Sequence, residues 1–301
     1  MEKLTDRIGV SLSPSILLGI GAEKWGIRTA RDAQRLLTRL HDAGVSSIEI
    51  RTVSPDVAGE TDGLRRAAEV AEIADRILSC GMGITVHGRM TDMPFDAWAA
   101  NLLPVWEKAR PTQPFFPVTV HPIGRPTDAD TIAYNAALLA RLSEGASRYY
   151  GFQICLENER VRRGLPEAVC CAGCAETGRR CASPVAFTWD FGHYYFNMAV
   201  RKGTPDALPE ADFLHRVRHT HIHGLCAERD MDTHYAFPSP GVLPPLRAYV
   251  DALRDAGYPG VYHLEITPAP EGTDSMEGFL QPLCASVRFL RSALAEKEQN
   301  A

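Results

Sequence analysis

Short apolar runs alternate with longer stretches of helical periodicity from one end of this chain to the other. Ile8–Leu12 and Ser47–Arg51 read as the first two strands. Between them, a helix is opened by the capping-box pattern Thr29-x-x-Asp32, carries Ala33, Leu36, Leu37 and Leu40 on one face, and stops at Gly44. Leu64, Ala67, Ala68 and Ala71 repeat at helical spacing in a helix that stops at Gly81. Further helical stretches lie near Asp96–Ala109, Thr127–Ala146, Leu243–Ala256 and Met276–Ala295. Six more strands fall at Gly83–His87, Pro117–His121, Gln153–Glu157, Ala186–Asp190, His219–His223 and Val261–Glu265. Eight strands, most followed by a helix, predict an α/β fold: a single-domain (β/α)8 TIM barrel rather than an open doubly wound sheet.

Composition narrows the picture slightly. With 301 residues, 45% of them hydrophobic, the chain can bury one large core, and no composition shift or linker divides residues 1–301. A net charge of −5 supplies no basic footprint for nucleic acid, although bound divalent cations would neutralise several of the carboxylates counted in it. The N-terminus enters a strand without a basic and apolar leader, and no apolar stretch approaches the roughly 20 residues of a membrane span, so a cytoplasmic location is expected.

Candidate chemistry sits at the strand ends. The last six strands finish on His87, His121, Glu157, Asp190, a His221/His223 pair, and Glu265. In a barrel these ends carry the site, and residues two apart point the same way. Stepping back two gives Thr85, Thr119, Cys155, Thr188 and His263, compact or polar residues for the interior; Val86, Val120, Leu156, Trp189 and Leu264 would face the helices. Any single histidine here reads as a hydrogen-bonded barrel residue, but six metal-competent endings form a site. Spacing does not choose between His221 and His223, which share a face.

The order His87-Gly88, His121-Pro122-x-Gly124, Glu157-Asn158, Asp190-x-x-His193, His221-x-His223, Asp232-x-His234 and Glu265 resembles the xylose-isomerase-like TIM-barrel superfamily, which includes endonuclease IV and many sugar isomerases and epimerases. That resemblance implies a core metal site on Glu157, Asp190, His221 and Glu265. It also implies further ions held by His87 and His121 with Glu157, and by His193, Asp232 and His234. Mixed imidazole and carboxylate ligation suits Zn, Mn, Fe or Co, at one to three divalent ions per chain.

Departures from endonuclease IV shift the expected function. His87 is followed by Gly88-Arg89-Met90-Thr91-Asp92, the Asp-Thr-Cys-His signature reads Asp190-Phe191-Gly192-His193, and the Asn-Asp/Glu-Ser/Ala-Lys run is missing. Arg229 stands where sugar epimerases of the superfamily often carry an arginine, before a partly matching Pro240-Gly241-Val242-Leu243 turn. The leading expectation is a metal-dependent isomerase or epimerase working through an enediolate on a small polyhydroxylated substrate, a sugar, sugar phosphate or related polyol. Glu157 and Glu265 would move the proton, and His193 would hydrogen-bond substrate if it binds no metal. A multi-metal phosphoesterase is the alternative, and a barrel that binds metal or ligand without turnover the third. Homo-oligomerisation is plausible by the same resemblance.

Three features lie outside that pattern. Pro14–Gly26, with Trp25, is unusually apolar for a loop and reads as a lid over the mouth or a packed plug, Trp25 being a candidate substrate contact. Arg51 is a candidate grip for a carboxylate or phosphate, or else a barrel-wall ion pair. The Cys-rich segment 170–181, with Cys170, Cys171, Cys174 and Cys181, reads as free thiols ahead of a structural zinc.

Overall fold

The computed structural model describes residues 4–51, 67–162, 165–226, 232–237, 243–266 and 275–295. Eight parallel strands close into a barrel: β1 (Ile8–Leu12), β2 (Ser47–Ile50), β3 (Gly83–His87), β4 (Phe116–Val120), β5 (Phe152–Glu157), β6 (Ala186–Asp190), β7 (Val217–Ile222) and, after a small hairpin of β8 (Gly224–Cys226) and β9 (Asp232–Tyr235), β10 (Tyr262–Leu264). Around the barrel the order is β1-β10-β7-β6-β5-β4-β3-β2, with every neighbouring pair parallel. The (β/α)8 architecture read from the alternating pattern is therefore the observed one.

Helices coat the outside, and their local chemistry is visible. The Oγ1 of Thr29 and of Thr127 accepts the backbone N–H of Asp32 and of Asp130, at 3.2 and 3.1 Å, capping the helices Ala30–Asp42 and Asp128–Ala146. Ala33, Leu36, Leu37 and Leu40 are fully buried on the first of these. The stretch near Asp96–Ala109 is two helices, Phe95–Trp98 and Leu103–Ala109, because Pro104 has no N–H and fits a helix only in its first turn. Likewise Pro244 and Pro245 delay the helix expected from Leu243 until Leu246, and it ends at Asp255.

Alternation along the strands sorts side chains as the two-residue period requires. Inward-facing Thr119 and Thr188 meet hydroxyl to hydroxyl at 2.8 Å across the interior, and Thr85 lies 3.3 Å from His263. Outward-facing Trp189 packs its ring 4.8 Å from that of Tyr249 in the helix Leu246–Asp255, and Val86, Val120, Leu156 and Leu264 are fully buried. Gly9 makes the interior possible near the floor, since a Cβ there would stand 2.2 Å from the His263 ring. The apolar segment Pro14–Gly26 is a short helix, Pro14–Leu18, and a 3-10 turn, Glu23–Trp25, with Ile16, Leu17 and Ala22 packed into the core.

Candidate metal centre

The site is built where the strands end. Glu157, Asp190, His221 and Glu265 bring one ligand atom each into a group whose members all lie within 4.8 Å of one another. The first three are wholly buried and Glu265 nearly so. His221 Nδ1 stands 2.5 Å from Glu157 Oε1 and 3.3 Å from Glu265 Oε2. Asp190 and His221 are opposite each other in the β6–β7 register. Asp190 also caps the helix Phe191–Tyr195, its Oδ1 accepting the His193 N–H at 2.6 Å. Asn158 straps β5 to β6 by accepting the Asp190 N–H (2.9 Å) and donating to the Asp190 carbonyl (3.1 Å).

A second group shares Glu157. His87 Nε2 and His121 Nε2 lie 3.0 Å apart, and 3.3 and 2.7 Å respectively from Glu157 Oε2. Glu159 Oε1 sits 2.6 Å from the other ring nitrogen of His121. A third group is His193, His223 and His234, whose ring centroids are separated by 5.4, 5.6 and 4.4 Å. His223 Nε2 reaches Asp190 Oδ1 at 3.1 Å, so this third group abuts the first. His234 has φ of +70°, a left-handed backbone that costs a non-glycine residue on the order of 1 kcal/mol and places its ring beside His223.

The donors fit a divalent metal better than they fit one another. Asp190 Oδ2 and Glu157 Oε2 are buried and accept no hydrogen bond. Two imidazole nitrogens crowd the Glu157 oxygen, His87 Nε2 at the about 3.3 Å expected between neighbouring ligand atoms of a tetrahedral zinc and His121 Nε2 closer, at 2.7 Å. Burial works against the charged form of Glu157, but His221 and His121 outweigh it and hold the carboxyl well below its usual range. Burial likewise opposes ionised Asp190, Glu265 and Glu159, and neighbouring imidazoles bring each below its ordinary value, Glu159 to about 2. In the same exchange His121 and His221, penalised by burial, are raised well above the ordinary histidine value by their carboxylate neighbours. His234 goes the other way: burial and the nearby His223 bring it down to about 4.

Of the expected site residues, His87, His121, Glu157, Asp190, His193, His221, His234 and Glu265 all converge here. The His221/His223 ambiguity resolves into two placements, His221 in the core quartet and His223 with His193 and His234. Arg229 and the side chain of Asp232 lie outside the described residues, although the Asp232 backbone belongs to β9. Arg51 donates to the carbonyls of Ser11 and Ile266 at 3.3 and 3.1 Å and holds its Nε 4.0 Å from Glu265 Oε1. The Trp25 ring lies 5.6 Å from that of Phe279, with the Lys24 ammonium 4.2 Å from its centroid. All eight cysteines are free thiols, and none joins a metal-competent group among the described residues.

Sequence reasoning missed Glu49, His219 and Glu159. Glu49 and His219 sit two residues before the strand-end positions Arg51 and His221, so the same parity that picked out Thr85 and His263 points both inward. Glu159 lies beyond the end of β5, where no periodicity applies.

No protein-family model matches the chain, and no curated protein matches its sequence. Solved structures do match over nearly full length. A sugar phosphate isomerase/epimerase from Parabacteroides distasonis is 14% identical, with 95% of this chain and 96% of that one covered and a TM-score of 0.57. A D-psicose 3-epimerase solved in the presence of D-fructose is 15% identical, covering 96% and 97%, with a TM-score of 0.53. The IolI protein with a bound zinc atom is 14% identical, covering 96% and 97%, with a TM-score of 0.56. Likeness at this level of identity shows the fold alone, a (β/α)8 barrel shared with these proteins.

Proposed function

We propose that this chain is a divalent-metal-dependent isomerase or epimerase acting on a sugar, sugar phosphate or related polyol. The observation that carries the reading is the buried convergence of Glu157, Asp190, His221 and Glu265, three carboxylates and one imidazole whose ligand atoms lie within 4.8 Å of one another. Zinc, manganese, iron or cobalt suits that donor set. Such a cation, when bound, would polarise adjacent hydroxyl and carbonyl oxygens of a sugar and acidify the C–H between them.

The remaining steps fall to the chain itself. Glu157 on β5 and Glu265 after β10 are separated around the barrel by β6 and β7, so they flank a substrate from two directions. One carboxylate takes the proton from carbon and the other, or the same one, returns it. His193, nearly buried and held through Nδ1 near the Asn158 carbonyl at 3.2 Å, orients a substrate oxygen. Arg51, whose Nε is buried without an acceptor, steadies Glu265 from the β2 side. The epimerase and isomerase/epimerase among the structural neighbours support this reading.

One observation favours a second reading. Glu157 belongs to two ligand groups at once, and a third lies alongside, so these residues would hold more than one ion, which suits a multi-metal phosphoesterase. Loading the metal-free protein with Mn²⁺, Co²⁺ or Zn²⁺ and incubating it in D₂O with a panel of aldoses, ketoses and their phosphates separates the two. Deuterium appearing next to the carbonyl, seen by NMR, supports the isomerase. Hydrolysis of phosphate diesters without such exchange would replace it with the phosphoesterase.

A further inference from the structure

Beneath the metal centre the barrel interior holds a polar layer that the proposed chemistry does not use. Glu49, on β2 and wholly buried, reaches across to β7. Its Oε2 and Oε1 lie 2.9 and 3.1 Å from His221 Nε2, and Oε1 lies 3.2 Å from His219 Nε2. Ser11 on β1 donates its hydroxyl to Oε2. Both carboxylate oxygens are therefore engaged, and the side chain is pinned by three residues on two other strands, β1 and β7.

We propose that Glu49 is the positioning residue for His221, fixing which of its two ring nitrogens is offered to metal. An ionised carboxylate only accepts, so the nitrogen facing Glu49 carries the hydrogen. That nitrogen is Nε2, and the hydrogen bond leaves Nδ1 as the lone-pair atom. Nδ1 is also the nitrogen that faces Glu157 and Glu265. A carboxylate behind a ligating histidine sets the ring's tautomer and orientation and raises its basicity, and loss of such a partner typically weakens metal binding by roughly 10–100-fold. This role for Glu49 rests on the metal-centre reading above.

A competing assignment makes Glu49, His219 and His221 a metal site of their own, since their ligand atoms also lie within 4.8 Å of one another. It would require His221 to ligate through both nitrogens, and a metal would have to compete with the Ser11 hydroxyl for Glu49. The two assignments differ in metal count.

The test is Co²⁺ binding to the full chain, followed by visible absorption in competition with a chelator. It compares wild type, Glu49→Gln, His219→Ala, His221→Ala and the Glu49→Gln/His221→Ala double variant. We expect Glu49→Gln to weaken the tightest site by about 10–100-fold and alter its absorption band without changing the number of ions bound. In the His221→Ala background the same change should weaken binding no further. Ser11→Ala, a gentler change that frees one Glu49 oxygen, should act in the same direction by less, and stands in if Glu49→Gln does not fold. Unchanged affinity and spectrum in a folded Glu49→Gln, or an undiminished effect without His221, would overturn the proposal. Loss of one ion in both Glu49→Gln and His219→Ala would replace it with the separate site. Wild type that binds no Co²⁺ would remove the metal centre itself, and the role of Glu49 with it.

Discussion

Glu157 Oε2 and His121 Nε2 approach to 2.7 Å at the ends of adjacent strands, while the other Glu157 oxygen lies 2.5 Å from His221. One carboxylate thus joins two ligand groups, and its loss should be felt in both. Glu157→Ala is expected to bind metal at least about 100-fold more weakly, a quarter share of the about 10–16 kcal/mol typical of a four-ligand zinc site. Equilibrium dialysis against a chelator would show the loss. Retention of wild-type affinity would remove Glu157 from the ligand set.

Metal uptake should release protons. Without metal, the neighbouring carboxylates hold His121 and His221 protonated at neutral pH, whereas a ligating imidazole must be neutral at the bonding nitrogen. Titration calorimetry at pH 7 in buffers of different ionisation enthalpy is expected to report about two protons released per chain, with affinity falling as pH drops. Heats that do not vary with the buffer would mean that His121 and His221 are already neutral before metal arrives.

Acid should destabilise the metal-free protein in two windows. His234 is brought down to about 4 by burial, so between the ordinary histidine value and about 4 the unfolded chain binds the extra proton and stability falls as pH falls. Glu159, opposed by burial but brought down to about 2 by His121, adds a loss as pH falls from its ordinary value towards 2. Urea midpoints measured from pH 7 to 3 should decline through the first window in wild type and less steeply in His234→Gln. Identical slopes would exclude His234 as the cause.

Gly192 should not tolerate a side chain. A Cβ there, two residues after Asp190, would stand 2.0 Å from the His223 ring. Gly192→Ala is expected to cost roughly 1–3 kcal/mol by overpacking and to disturb the His193–His223–His234 group more than the core quartet. Urea denaturation and metal counting would check both effects.

Much of this was legible in the chain, for reasons that can be traced. Thr85, Thr119 and Thr188 were placed inward by the two-residue period alone, since a one-residue slip would put Val86, Val120 and Trp189 into the barrel. The strand-end ligands were legible because barrel topology collects all eight strand ends at one mouth. Glu49 was hidden because a glutamate in an apolar strand gives no local sign of its partner, which lies 172 positions away on β7. The division of labour between His221 and His223 was equally hidden, since it depends on where β7 ends. The hairpin β8–β9 escaped because its short strands carry no clear alternation.

Whether these converging side chains hold divalent metal is settled by elemental analysis of protein purified without a tag. At least one zinc, manganese, iron or cobalt per chain is expected in wild type, lost in a variant combining Glu157→Ala with Asp190→Ala, while His41→Ala, remote from the site, retains it. A folded wild type that carries no metal and takes up none on reconstitution would show that the buried quartet is not a metal site.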